Sequence, residues 1–288
     1  MVQTVHPAQA SAPRGAGPAV LMHHHWPEYL IEALYLGLFM ISACTFALVF
    51  EHPASPVRQL IEPPALRRIP MGLAMGLTAV ALIYSPLGKR SGAHMNPATT
   101  LAFFRLGKVR GSVAAGYIGA QVAGGIIGVF TAATLLGAPL ADPAVNYVTT
   151  LPGMLGHGVA WVAELSISCL MMLMVLTVSN SRFARWTGLC AGVLVMLFII
   201  VEAPLSGMSL NPARSLGSAV AANVWSGFWV YLTAPPLGML LAAELYTRLH
   251  GARAVRCAKL AHPSTGPCLF SCAYAHAARQ RSSGALQL

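Results

Sequence analysis

An all-α membrane protein with six spanning helices, two re-entrant half-helices and an inverted internal repeat is the fold class that three features of this sequence predict. Only 9% of its 288 residues are charged and 56% are hydrophobic, where a soluble domain carries about 25% charged residues. Six runs are apolar enough, and long enough, to cross a bilayer. Between them lie two copies of one short motif.

The composition closes off other classes first. Eighteen basic and eight acidic residues cannot cover the surface of two soluble domains, which is what this length would otherwise suggest. Mean hydropathy is +0.64, and neither a heptad nor a collagen triplet recurs. The formal charge of +10 reads as an excess of Lys and Arg in cytoplasmic loops. It is not a nucleic-acid footprint, because no basic stripe is interleaved with aromatic residues.

Residues 1–25 are rich in Pro, Ala, Ser and His without a sustained period and lack the apolar core of a signal peptide. They read as a flexible cytoplasmic tail, with His23, His24 and His25 as a polar lead-in. A spanning helix needs about 20 mainly apolar residues. The first runs from Tyr29 to Phe50 and carries one acid, Glu32. The second covers Ile69 to Leu87. The uncharged stretch from Gly111 to Ala141 holds the third span and an outer loop. His157 to Val178 is the fourth, with Glu164 near its start. Trp186 to Val201 is the fifth, and Trp225 to Glu244 the sixth. Residues 251–288 read as a second flexible, basic cytoplasmic tail. A channel-like domain of residues 26–250 remains, in halves of about 26–135 and 155–250.

Basic residues orient the chain. With the N-terminus inside, Arg14, Lys89, Arg90, Arg105, Lys108, Arg110, Arg182, Arg185 and six residues beyond position 247 are cytoplasmic. Arg58, Arg67 and Arg68 are outside. Fourteen against three places both termini in the cytoplasm. A multi-pass protein of the cell (inner) membrane follows.

Cys44, Cys169 and Cys190 fall in apolar runs and read as small core residues. Cys257, Cys268 and Cys272 share the C-terminal tail with His250, His262 and His276. Their spacing contains no CxxC pair and matches no finger pattern, so no metal or other cofactor is expected.

The chemistry lies in two apolar pieces too short to span, Asn96–Phe104 and Asn211–Ala222. The sequence Ser91-Gly92-Ala93-His94-Met95-Asn96-Pro97-Ala98-Thr99-Thr100-Leu101 aligns with Ser206-Gly207-Met208-Ser209-Leu210-Asn211-Pro212-Ala213-Arg214-Ser215-Leu216. The shared pattern is S-G-x-x-x-N-P-A-x-x-L at a separation of 115 residues. Glu32 and Glu164 repeat as well, each opening the first span of its half. Three spans per half is an odd number, so the second copy must be inverted in the membrane. Asn is a good N-cap, and Pro at the first helical position gives up a donor that is orphaned anyway. Each Asn-Pro-Ala therefore starts a helix, and inversion brings two helix N-termini together near the midplane. Each end carries roughly half a positive charge. Cations are repelled there, while a water molecule is oriented with its oxygen toward Asn96 and Asn211, which breaks a proton wire.

With these residues in view, the chain closely resembles the aquaporins, the major intrinsic protein family, over about residues 28–248. The two motifs SGAHMNPATTLA and SGMSLNPARSLG carry the likeness, with Thr99 where the family usually has Val. Tyr117-Ile118-Gly119-Ala120-Gln121 with Gly124, and Trp229-Val230-Tyr231 with Pro235 and Gly238, add to it. The resemblance implies a right-handed helical bundle, a homotetramer and one pore per protomer in the lipid bilayer. It implies that the pore is lined by Asn96, Pro97, Ala98, Asn211, Pro212 and Ala213. Glu32, Glu164 and Gln121 then support the re-entrant loops, and His94 faces the cytoplasmic mouth.

Selectivity belongs to an outer ring. A lone Arg in an apolar segment is costly and marks a functional site, and the resemblance puts Arg214 in that ring. Counting from Asn211 adds Ile199 and Met208, and Met75 follows from the Gly76-Leu77 pair, with Gly76 as fallback. A water-selective relative has His at the position of Ile199 and Phe at that of Met75. The Met/Ile/Met/Arg ring is more apolar and favours a broader pore for water and small neutral, glycerol-like solutes. Ser215, where glycerol facilitators have Asp, and Tyr231 look water-like, whereas Leu232 replaces a Trp usual in water channels. A strictly water-selective channel is thus the alternative. Gly116, Ala120, Gly124 and Gly128 form a small-residue face for close helix approach, within or between protomers.

A secondary transporter would also have inverted repeats, but it needs coupling acids at the midplane. An enzyme would need a catalytic motif, and no HExxH or nucleophile elbow is present.

Overall fold

The computed structural model describes residues 25–262 and 268–274. Its long helices are α1 (Trp26–Glu51), α2 (Pro64–Tyr84), α4 (Gly111–Leu136), α5 (Gly156–Ser179), α6 (Thr187–Val201) and α8 (Phe228–His250). Two shorter ones, α3 (Pro97–Arg105) and α7 (Pro212–Ala222), carry the motifs, and shorter helical turns lie at Pro56–Leu60, Pro86–Ser91 and Ala203–Ser206. No strand occurs among the described residues. Six helices are long and apolar enough to cross a membrane, α6 counted with the 3-10 turn that precedes it.

The helices differ from the sequence reading mainly at their ends. α2 begins at Pro64, ahead of Ile69, so Arg67 and Arg68 lie inside it. Arg67 is tolerated there because it is buried against Glu51 at 2.8 Å. α2 stops at Tyr84 because Ser85 turns to an extended backbone and caps a new turn, Pro86–Ser91, by accepting from the Gly88 amide at 3.0 Å. α8 runs on past Glu244 to His250, with Glu244 paired to Arg105 and Arg248.

The packing repeats between halves. The most extensive pairs are α1 with α4, α5 with α8, and α2 with α6. The half-helices cross over: α3 packs on α8 of the second half, and α7 on α4 of the first. Each half is therefore incomplete without the other. Glycines set these distances. A Cβ on Gly124 would come within 2.1 Å of the Ala33 carbonyl oxygen, and one on Gly128 within 2.6 Å of Gly37. The small-residue face of α4 thus packs on α1 within one protomer. On the other side of α4, Gly125 meets Gly217 of α7, backbone against backbone.

The C-terminal segment departs from the expected solvated tail. After Gly251 (φ 82°) the chain turns back, and Val255, Cys257, Ala258, Lys259, Leu260, Phe270 and Cys272 are buried. Apolar contact with the bundle and four hydrogen bonds to it, given below, outweigh its polar composition. His25 is the residue before α1 and its carbonyl accepts from the Glu28 and Tyr29 amides. His23, His24, His276 and the N-terminal tail lie outside the described residues.

Candidate permeation path

Each half-helix starts as its motif predicts. Asn96 and Asn211 have extended backbones, and each is followed by Pro at the first helical position. The Asn96 Oδ1 accepts from the Ala98 amide at 2.9 Å. The Asn211 Oδ1 accepts from Ala213 and Arg214 at 3.0 and 3.2 Å. The Nδ2 groups reach across the repeat. Asn96 donates to the Leu210 carbonyl at 2.8 Å, and Asn211 to the Met95 carbonyl at 2.7 Å. An amide nitrogen has two hydrogens, so each Asn keeps one donor beyond this bond.

The loops ahead of the half-helices are strained in matching places. Gly92, Ala93 and Met95 have positive φ, as do Gly207, Met208 and Leu210. Left-handed backbone costs a residue with a Cβ roughly 1–2 kcal/mol. Buried carboxylates offset this. Glu32 Oε1 accepts from Ser91 Oγ and the His94 amide at 2.8 and 3.1 Å, and Oε2 from the Met95 amide and Gln121 Nε2 at 2.6 and 2.8 Å. Glu164 accepts from Ser206 Oγ and the Ser209 and Leu210 amides at 2.7, 2.6 and 2.8 Å. A tyrosine completes each cradle: Tyr117 donates to the Ser91 carbonyl and Tyr231 to the Ser206 carbonyl, both at 2.6 Å.

Beside the paired Asn residues runs a cavity of about 270 Å³. It touches α2 at Arg68, Met71, Met75, Ala79 and Ile83, one face of the helix. At 1.5 Å per residue that face is about 22 Å long, most of a hydrocarbon core about 30 Å thick. Asn96, Asn211, Thr99, Ser209 and Arg214 contribute polar groups to a wall that is otherwise largely apolar.

Met75, Ile199, Met208 and Arg214 all lie on the cavity wall. Gly76 is turned away, onto Gly192 of α6. Arg214 Nη1 is buried with no hydrogen-bond partner, and no carboxylate pairs with Arg214 among the described residues. Arg214 as a whole is half-buried on the cavity wall, where a guanidinium can donate to a passing solute.

A profile described as "Major intrinsic protein" matches residues 20–246. The chain belongs to the major intrinsic protein family. Aquaporin NIP6-1 of Arabidopsis thaliana is 35% identical over 217 residues, 75% of this chain and 69% of that protein. Glycerol uptake facilitator protein-like 6 of Lactiplantibacillus plantarum is 35% identical over 232 residues, 75% of this chain and 94% of that protein. The X-ray structure of the aquaglyceroporin from Plasmodium falciparum shares the fold. Its TM-score is 0.67 at 21% identity, covering 80% of this chain and 98% of that one. Membership of the family makes the chain a transmembrane channel protein rather than an enzyme.

Three features of this major intrinsic protein escaped the sequence reading. Arg68, assigned to an outer loop, lies on the cavity wall, with its Nε donating to the Ile200 carbonyl at 3.1 Å. Its spacing of three and seven residues from Met71 and Met75 was the available signal. Tyr117 and Tyr231, 114 residues apart, follow the motif repeat as loop anchors. On the cavity wall, His94 is pinned rather than free. Its ring lies 3.0 Å from Thr100 Oγ1 and 2.8 Å from the Ala258 carbonyl, stacked between Phe103 and Phe270. Ala258 and Phe270 belong to the C-terminal segment, which nothing in the spacing placed there.

Proposed function

We propose that the cavity is a passive pore for water and small uncharged, glycerol-like solutes that excludes ions and protons. The observation that carries this reading is the head-to-head meeting of Asn96 and Asn211 beside a cavity with an unpartnered Arg214. Two helix N-termini and a guanidinium make the passage positive, and a cation entering it gives up hydration without receiving an anionic ligand. The spare Asn donors hold a water or hydroxyl oxygen at the midpoint, which turns its hydrogens outward and interrupts proton transfer. Met75, Ile199 and Met208 around Arg214 form a mainly apolar ring with flexible thioether walls, which suits the carbon face of a polyol while Arg214 serves its hydroxyls. That one relative is named a glycerol uptake facilitator supports this choice. We further infer a homotetramer in the inner membrane with both termini cytoplasmic, in line with the placement of basic residues.

Stopped-flow light scattering on proteoliposomes tests the reading. Fast shrinkage in sucrose, followed by re-swelling in glycerol, is expected. Fast water movement with no glycerol entry makes the pore strictly water-selective, and neither flux removes the channel reading. A proton-sensitive dye in the same vesicles should report no pH change under an imposed gradient.

A further inference from the structure

The C-terminal segment seats on the inner end of the cavity. Four hydrogen bonds hold it there: Leu260 N to the Gly92 carbonyl (3.2 Å), His94 Nε2 to the Ala258 carbonyl (2.8 Å), Ser271 N to the Lys108 carbonyl (3.0 Å) and Arg256 N to Asn180 Oδ1 (2.7 Å). Phe270 stacks on His94 with ring centroids 5.4 Å apart, and Leu260 forms part of the cavity wall. Residues 255–262 and 268–272 form no helix or strand, so no backbone ladder there offsets the conformational entropy of ordering them.

Four side chains supply what is missing. Cys257, His262, Cys268 and Cys272 each offer one ligand atom, and all four atoms lie within 4.8 Å of one another. Cys257 Sγ is 3.5 Å from Cys268 Sγ, and Cys272 Sγ is 3.1 Å from His262 Nε2. Three thiolates and one imidazole are a ligand set of closed structural zinc sites, with Zn–S of about 2.3 Å and tetrahedral geometry. Two such bonds at the tetrahedral angle put their sulfurs roughly 3.8 Å apart, close to the spacing found. Three thiolates around Zn2+ leave one net negative charge, and Arg256 and the buried Lys259 flank Cys257 in the chain with the opposite sign.

We propose that Cys257, His262, Cys268 and Cys272 bind one Zn2+, and that the knuckle so closed holds Leu260 and Phe270 over the inner end of the cavity, restricting flow. The second half of this proposal rests on the channel reading above; the metal site does not. Zinc bound is the restricted state, and zinc removed frees the segment and opens the mouth.

The test uses full-length protein purified in detergent, with zinc measured by inductively coupled plasma mass spectrometry. One zinc per protomer is expected, with loss of it in Cys257→Ser/Cys272→Ser. Co2+ in its place should show thiolate charge-transfer absorption, which a surface-bound ion would not. Metal-free wild-type protein, unchanged zinc in the double variant, or a native Cys257–Cys268 disulfide by mass spectrometry overturns the site. In proteoliposomes a membrane-permeant zinc chelator should speed water movement through the wild type, re-added zinc should reverse this, and a chain ending at Arg253 should be fast and indifferent to both. Bound zinc with chelator-independent flux overturns the restriction. A truncated chain that inserts but passes no water counts against the channel reading, while the zinc content still decides the site.

Discussion

Asn96 and Asn211, far apart in sequence, each donate a side-chain amide hydrogen to the carbonyl that precedes the other, at 2.8 and 2.7 Å. The same two residues cap α3 and α7 through their side-chain oxygens. Each amide therefore starts its own half-helix and ties it to the other at once. Changing one should have two effects that different substitutions separate.

Asn211→Ala removes the cap and leaves the Met95 carbonyl without its partner. A lost cap costs about 1 kcal/mol and a buried acceptor left unpaired about 1–3 kcal/mol, so a fall of roughly 2–4 kcal/mol is expected. Asn211→Asp keeps the capping oxygen but turns a second acceptor onto the Met95 carbonyl, so it should melt at a different temperature from Asn211→Ala while letting cations through. Equal melting temperatures for the two variants would falsify the split of roles.

Arg214→Val removes the unpartnered guanidinium and widens the ring. Vesicles bearing it should admit larger polyols and leak monovalent cations. If the solute cut-off and the ion leak both match the wild type, Arg214 does not line the narrowest point.

Ile199→His adds bulk and a polar ring to the cavity wall that Arg214 shares. Glycerol entry should drop while water movement persists, narrowing the pore toward water. Glycerol entry that stays at the wild-type rate would place the constriction elsewhere along the path.

Glu164→Gln puts a donor where one of the Ser206, Ser209 or Leu210 donors now points. With one buried bond turned into a donor–donor contact, about 1–3 kcal/mol is lost. Glu32→Gln should cost a similar amount, because its four donors face the same problem. Thermal unfolding of the detergent-solubilised channel reads both, and an unshifted midpoint in either would rule out the carboxylate as a loop support.

Gly76→Ala brings a Cβ within 2.6 Å of the Gly192 carbonyl oxygen. Backbone cannot swing aside, so α2 and α6 must separate at about 1–3 kcal/mol, the usual cost of overpacking. Gly119→Ala is the control, with nothing within 4 Å of the new carbon. It should be neutral or stabilising by up to about 1 kcal/mol. The two melting temperatures should move apart; matching shifts would mean that α2 and α6 pack more loosely than the structure places them.

Much of this architecture is written locally. A span is legible because crossing lipid demands an unbroken apolar length, and that holds whatever the neighbours do. The half-helices are legible because Asn-Pro-Ala carries its own start signal and recurs with the same Ser-Gly ahead of it. Arg67 and Arg68 were misplaced because charge alone ends a span on paper, whereas Glu51 at 2.8 Å lets the helix continue past Arg67. The sequence by itself determined six spans, two caps, two buried acids and the family pattern. Only the tertiary structure decided that Met75 rather than Gly76 meets the cavity, that the glycine face of α4 serves α1, and that Cys257, His262, Cys268 and Cys272 converge on one another. Each of these depends on the relative register of segments that are distant in the chain, and register is set by side-chain packing in three dimensions, which no local spacing encodes.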